Sequence, residues 1–293
     1  MPGHASKAAS VRRSQDSLAS SKYCDWLPGF VILGPTTIAR APWLKAAGAP
    51  KAPKRGGGDS SLQSEDLIIH FSTELIHGPA PLRKDALQKL YFDLSQTRHG
   101  YDSTDFSNPA QWRFYSRGGT KTQSIAVFLP DRLVLIEEWA AMALSDFLER
   151  TREVAARTLE ARGIPQFLAH TATIRSTFAL THFQDARVFL LDHVCQQAGR
   201  IGPHLQRPLA VGGLRFVLPE TPEHPGNLHV IIESFRHSQH EVFVEVKGVF
   251  GKPAVDATQL DLVLENIRGV RRFVSDRIFP YLDQFDEPTT VAD

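Results

Sequence analysis

Twelve histidines in 293 residues raise the question of whether any are spaced to do chemistry. The densest group is HSQH at 237–240, with His229 nearby. Two imidazoles three positions apart could begin a metal site. However, no Cys or carboxylate lies at a typical ligand spacing, and the stretch falls where a hairpin turn is expected. His237 and His240 would project independently, so a polar turn is the reading. Cys195 follows His193 by two positions in a helical pattern, which puts them on different faces, and no base is arranged to activate the thiol. A buried structural thiol is expected. Glu137 and Glu138 are neighbours in a strand pattern, so they point to opposite faces and cannot act as a facing acid/base pair. Asp192 and His193 fail on similar geometry. GGT at 118–120 and the pair Gly212-Gly213 are not followed by helices, which removes a phosphate-cradling reading. No catalytic, cofactor-binding or metal-ligating residue is therefore expected.

A different signal lies in the hairpin NLHVIIESF and EVFVEVKGVF. One alternating set, Leu228, Val230, Ile232 and Ser234 with Val242, Val244 and Val246, is apolar and belongs against a helix. The other set is His229, Ile231, Glu233 and Phe235 with Phe243, Glu245 and Lys247, joined by Glu241. That mixture suits a contact-making surface or one covered by another part of the chain.

The elements that must position this hairpin follow a repeated order. DLIIHFST reads as a strand, and LRKDALQKLYFDLSQ as a helix with Leu82, Ala86, Leu90 and Leu94 on one face. QWRFYS, QSIAVFL and RLVLIEE are strands joined by short turns. AMALSDFLERTREVAARTLEARG is a helix with Leu144, Leu148, Ala155 and Leu159 near its apolar stripe and Gly163 as its stop. The order then restarts. QFLAHTATIRSTFALT is a strand, DARVFLLDHVCQQAG a helix stopping at Gly199, and GGLRFVLPE, NLHVIIESF and EVFVEVKGVF are strands. The last helix carries Leu260, Leu264, Ile267, Val270, Val274 and Ile278, with Pro280 placed to kink or shorten it. Arg113-Phe114 and Arg215-Phe216 occupy like positions in the two halves. The expected fold is α+β, with two tandem helix-grip-like repeats (strand-helix-strands-helix) at 65–164 and 165–288. Together they form an antiparallel sheet packed on long helices, as in saddle-shaped duplicated folds. A single unrepeated α+β domain is the alternative.

Residues 1–64 differ in kind. The first 58 hold nine Lys and Arg against two Asp and Glu, leaving 24 basic and 30 acidic residues of the chain's 33 and 32 for the remainder. Basic tail and acidic body thus carry opposite signs. With little apolar periodicity, 1–64 reads as a disordered basic tail and linker, and 289–293 as a short C-terminal tail. The N-terminal segment suits a basic arm for nucleic acid or an acidic partner, a transit peptide, or a non-functional extension from an over-called start. Its apolar octet WLPGFVIL could dock. Cys24 and Cys195 form no disulfide framework, and no apolar run approaches the roughly 18 residues of a membrane span. A cytoplasmic protein without a membrane partner is expected.

The segment WRFYSRGGTKTQSIAVFLPDRLVLIEEW, 112–139, resembles an uncharacterised family of bacterial proteins with scattered distribution and a duplicated α+β layout. Its marks here are Pro130, Asp131, Arg132 and Leu133 opening a strand that runs toward Trp139. The resemblance extends over 65–288. In that family the strand after the first long helix carries an Arg-Tyr and an Asn, where this chain reads HTATIRSTF. The resemblance implies no established activity and no catalytic residue.

The functional expectation is a non-catalytic module that contacts a protein partner through its sheet face, without a cofactor. The alternative is a carrier or enzyme holding a small apolar ligand between the sheet and the C-terminal helix. Nucleic acid suits the body poorly, because the body is net acidic, and suits only the basic tail.

Overall fold

The computed structural model describes residues 68–118, 122–139 and 142–288. The tail and linker of 1–64, with Cys24 and the apolar octet, lie outside the described residues, as do the 119–121 turn and 289–293. The described residues form a mixed α+β unit built on one nine-stranded antiparallel sheet.

Strand β1 (Ile68–His77) is followed by helix α1 (Lys84–Ser95), then β2 (Ser103–Asp105), β3 (Trp112–Gly118), β4 (Thr122–Phe128), β5 (Arg132–Glu138) and helix α2 (Leu144–Arg162). Strand β6 (Phe167–Ala179) leads to α3 (Ala186–Val188), a π-helical turn (Phe189–Val194) and α4 (Ile201–Leu205). Strands β7 (Gly213–Leu218), β8 (Asn227–Ser234) and β9 (Glu241–Phe250) precede α5 (Leu260–Phe273), a second π-helical turn (Val274–Ile278) and α6 (Phe279–Asp283). The sheet order is β2-β3-β4-β5-β1-β6-β9-β8-β7. Strands β1 and β6 are central and pair with each other, with Thr73 opposite Ala172.

Helices α1, α2, α5 and α6 gather on one sheet face. Tyr91 of α1 meets Phe114 edge-on, Phe147 of α2 stacks on Phe71 at 5.3 Å, and Phe279 of α6 packs on Phe178. Helix α5 lies over β6 and β9, and all six apolar positions expected of the last helix, from Leu260 in α5 to Ile278 in the widened turn, are buried. Gly163 ends α2 as expected, at φ 63°, a left-handed conformation open to glycine at little cost.

Several expectations need correction. In α1 the buried stripe is Leu87, Leu90 and Leu94, while Ala86 is only half-buried. The helix expected to run to Gly199 is regular for three residues and then widens, with the Cys195 N–H bonded to the Leu190 carbonyl five residues back. Gln196, at φ 54°, ends it there. The Pro-rich connection after it contains the short helix α4. Pro280 does not interrupt the last helix. It sits in the first turn of α6, just after a widened turn. Such a turn eases the clash that a proline ring makes with the carbonyl four residues earlier.

Candidate open-face site

The residue pattern of the second hairpin is realised as three cross-strand pairs. His229 faces Lys247, Ile231 faces Glu245 and Glu233 faces Phe243. Their apolar counterparts Val230, Ile232, Val242, Val244 and Val246 point to the helix side and are buried. Phe235 lies just past β8 and stacks on Phe243, with centroids 6.1 Å apart. His237 closes edge-on against Phe235 at 5.2 Å, so it packs within its turn. Among the described residues, no group of three or more His, Cys, Asp or Glu could hold a metal ion.

These pairs continue into rows across the open face, opposite the one on which α1, α2, α5 and α6 pack. One row runs Arg117, Gln123, Glu138, His70, Arg175, Glu245, Ile231 and Arg215, each residue facing the next on the neighbouring strand. Donors and acceptors alternate along its middle. Gln123 Nε2 donates to Glu138 Oε2 at 2.5 Å, and Arg175 Nε donates to Glu245 Oε2 at 2.6 Å. Glu74, two positions from Ser72 on β1, is bound on one side by Arg132 at 3.2 Å and on the other by Lys247 at 3.3 Å. The ions at the middle of the face thus neutralise one another through partners from four strands, β1, β5, β6 and β9.

The geometry also brings together His70, Ser72 and Glu138, none singled out from the sequence as a set. With the imidazole proton on Nδ1, which stands 3.5 Å from Glu138 Oε1, His70 Nε2 accepts from the Ser72 hydroxyl at 2.9 Å. Burial lowers the His70 pKa below its usual value. Glu138 is held down at about 2, by the facing imidazole first and by the Gln123 amide, against the pull of burial. This is the order of nucleophile, base and orienting acid. Acyl transfer also needs N–H donors aimed at the developing oxyanion. Here β1 is paired on both sides, so the backbone around Ser72 is engaged in ladders with β5 and β6. Of the trio, only Ser72 and His70 are joined by a hydrogen bond, while Glu138 faces the imidazole at ion-pair distance.

Glu137 points the other way, as the strand pattern requires. It is buried on the helix side, where it accepts from the Ser124 hydroxyl and the Arg150 guanidinium. Arg150 also lies over the Tyr101 ring, 5.4 Å from its centroid. Cys195 is half-buried instead of fully buried, and desolvation raises its pKa, which suppresses the thiolate. His193 packs against Phe183 at 4.3 Å. The Gly212 and Gly213 pair opens β7. Gly212 bonds its carbonyl to the Ser234 N–H at the start of β7.

The layer between sheet and C-terminal helix is closely packed at its centre. A Cβ at Gly248 would meet Phe250 at 2.6 Å and Val270 of α5 at 2.8 Å. There is no room at that point for a small apolar ligand. A cleft of about 400 Å³ does exist elsewhere, lined by Arg187, Leu191, Asp192 and Leu209 beside α3 and α4.

The motif at 130–133 has a structural explanation. The carbonyls of Pro130 and Asp131 accept from the N–H groups of Ala80 and His77, each at 2.8 Å, clamping the β4–β5 turn onto the end of β1. Arg132 then bridges Asp131 and Glu74. No described helix is long and apolar enough to cross a membrane. No protein-family model matches the chain, and no curated protein matches it.

Proposed function

We propose that the chain is a non-catalytic binding module whose open sheet face contacts a protein partner. The observation that carries this reading is the row from Arg117 to Arg215, a mixed polar and apolar surface whose central charges are already paired. Such a surface offers few unneutralised cations to phosphates, which disfavours nucleic acid. It does offer apolar anchors, Ile231 and Phe243, among hydrogen-bonding groups, the composition expected of a protein interface. The tight contact at Gly248 weighs against the alternative, a carrier for a small ligand under α5.

The same proposal includes duplication of one helix-grip-like unit, placed in the uncharacterised family resembled by 112–139. Outward from β1 the strands run β5, β4, β3, and outward from β6 they run β9, β8, β7. Arg113-Phe114 lies on β3 and Arg215-Phe216 on β7, the corresponding strands. The row inward from Phe114 ends at Thr73, and the row inward from Phe216 ends at Ile174, matched positions on β1 and β6. A duplicated sheet presents one wide face where a single unit would present half.

The test is site-specific photo-crosslinking in the native cell. A photoreactive residue at Ile231 or Phe243 should capture one discrete protein, and the same group at Phe92, 65% exposed on α1, should not. Equal capture from Phe92, or none from either face position, overturns the reading.

A further inference from the structure

The two edges of the sheet are treated differently. On one side β3 is shielded by β2, three partly buried residues ending in Asp105. On the other side no described strand pairs with the outer edge of β7. All of its residues except Leu214 are exposed, including Phe216 at 40%, Val217 at 56% and Leu218 at 40%. Natural edge strands are normally blunted by charge, proline or cover, because unpaired N–H and C=O groups recruit other strands. Within β7 only Arg215 is charged, and Pro219 comes after the strand has ended.

The phase of the β7–β8 ladder sets what the free edge can pair with. The Ser234 N–H donates to the Gly212 carbonyl at 3.0 Å, so 212 and 234 are a hydrogen-bonded pair. Alternation then turns the backbone groups of Leu214, Phe216 and Leu218 toward β8. Those of Gly213, Arg215 and Val217 turn outward.

We infer that β7 is the interface of a two-fold homodimer, pairing antiparallel with β7 of a second copy about an axis through Phe216. In that register Arg215 and Val217 exchange both backbone bonds with their counterparts, outward group to outward group. Phe216 meets itself in a non-hydrogen-bonded pair, and Leu214 meets Leu218. Moving the axis to Arg215 would set two guanidinium groups face to face. Moving it to Val217 would set Arg215 opposite Pro219, which lacks an N–H, so the inner pairs of the ladder would lose bonds. The favoured register keeps the guanidinium groups apart, confines Pro219 to the end of the ladder opposite Gly213, leaves both Arg215–Val217 pairs their full bonds, and covers the exposed apolar side chains. Antiparallel pairing about a perpendicular axis keeps each face on its own side, so the two open faces become continuous. Pairing a six-residue strand buries roughly 400 Å² per copy, about half of a standard interface, so the dimer is weak and concentration-dependent. The inference does not depend on what the open face binds.

Cysteine crosslinking reads the register directly, using the full chain with Cys24→Ser and Cys195→Ser. Non-hydrogen-bonded antiparallel pairs hold their Cα atoms about 4.5 Å apart, within disulfide reach. Phe216→Cys should oxidise to a covalent dimer. Leu218→Cys is equally exposed but lies four positions from its own counterpart, and should not. In sedimentation, the unmodified chain should move from 32.6 kDa toward twice that mass as concentration rises. Val217→Pro removes an outward N–H and no bond to β8, so it should stay monomeric with an unchanged melting temperature. If that variant fails to fold, Phe216→Asp serves, since it sets two carboxylates together on the axis. A chain that remains monomeric to roughly 100 μM overturns the inference, as does equal crosslinking from 216 and 218. A dimer that persists in both interface variants overturns it too.

Discussion

Lowering the pH should destabilise the protein through His170 in a defined window. This histidine lies on the helix side of β6, 2% exposed. Its ring stacks on Phe250 with centroids 5.0 Å apart, and Nε2 accepts from the Asn266 amide of α5 at 2.9 Å. Burial carries its pKa down to about 4 from an ordinary 6.5. Above 6.5 the ring is neutral whether the chain is folded or unfolded, and the group contributes nothing to pH dependence. Between 6.5 and 4 the unfolded chain takes up a proton that the folded chain refuses, so stability falls as pH falls. Integrated from pH 7.5 to 4.5, the loss is roughly 2–3 kcal/mol. Urea unfolding at both pH values measures it. His170→Gln keeps a polar side chain but cannot titrate, so its stability should fall by that much less over the same interval. His70 and His77, whose pKa values burial also lowers, remain in the variant and set its residual acid sensitivity. Identical pH dependence in the two proteins would refute the reasoning, as would a folded-state His170 titration near 6.5 by NMR.

Other perturbations have comparably direct outcomes. Arg150→Met leaves Glu137, 1% exposed, without its cation and should cost about 3–5 kcal/mol in urea unfolding. Adding Glu137→Leu should recover most of that loss. Asp286→Ala removes the carboxylate that accepts from the Thr181 and His182 N–H groups at 2.6 and 2.9 Å. About 1–3 kcal/mol should be lost, with faster hydrogen exchange at those two amides. Gly248→Ala forces a methyl against Phe250 and Val270 and should destabilise by about 1–3 kcal/mol, read as a lower thermal midpoint.

The sequence was most legible where local rules act alone. Gly163 stops α2 because the next residue needed a left-handed turn, and the apolar spacing from Leu260 to Ile278 marks one buried helical face. The alternation in β8 and β9 correctly separated the helix side from the open side, and hence His229 from Val230. What stayed hidden depends on partners far along the chain. His70 gains meaning only beside Glu138 and Arg175, which a sheet register brings to it from two other strands. Arg150 carries no signal in the apolar spacing of α2, and its core partner Glu137 is brought to it only by the fold. The widened turn after α3 is a change of carbonyl acceptor, which apolar spacing does not encode.

The central pairing of β1 with β6 also shapes how the chain can be synthesised and divided. Strand β1 leaves the ribosome first among the described elements. One of its neighbours, β5, follows after α1 and three further strands, and the other, β6, only after α2 as well. Such non-local pairing slows folding, because loop closure must precede the reward of contact. Until β6 arrives, the nascent first half carries an open ten-residue strand at what will become the middle of the sheet. A polypeptide ending after α2 keeps that strand bare permanently, and a fragment starting at β6 bares thirteen residues. Produced separately, both pieces should associate through these edges, with themselves or with each other. The second outcome would make the protein a natural candidate for reconstitution from two split fragments.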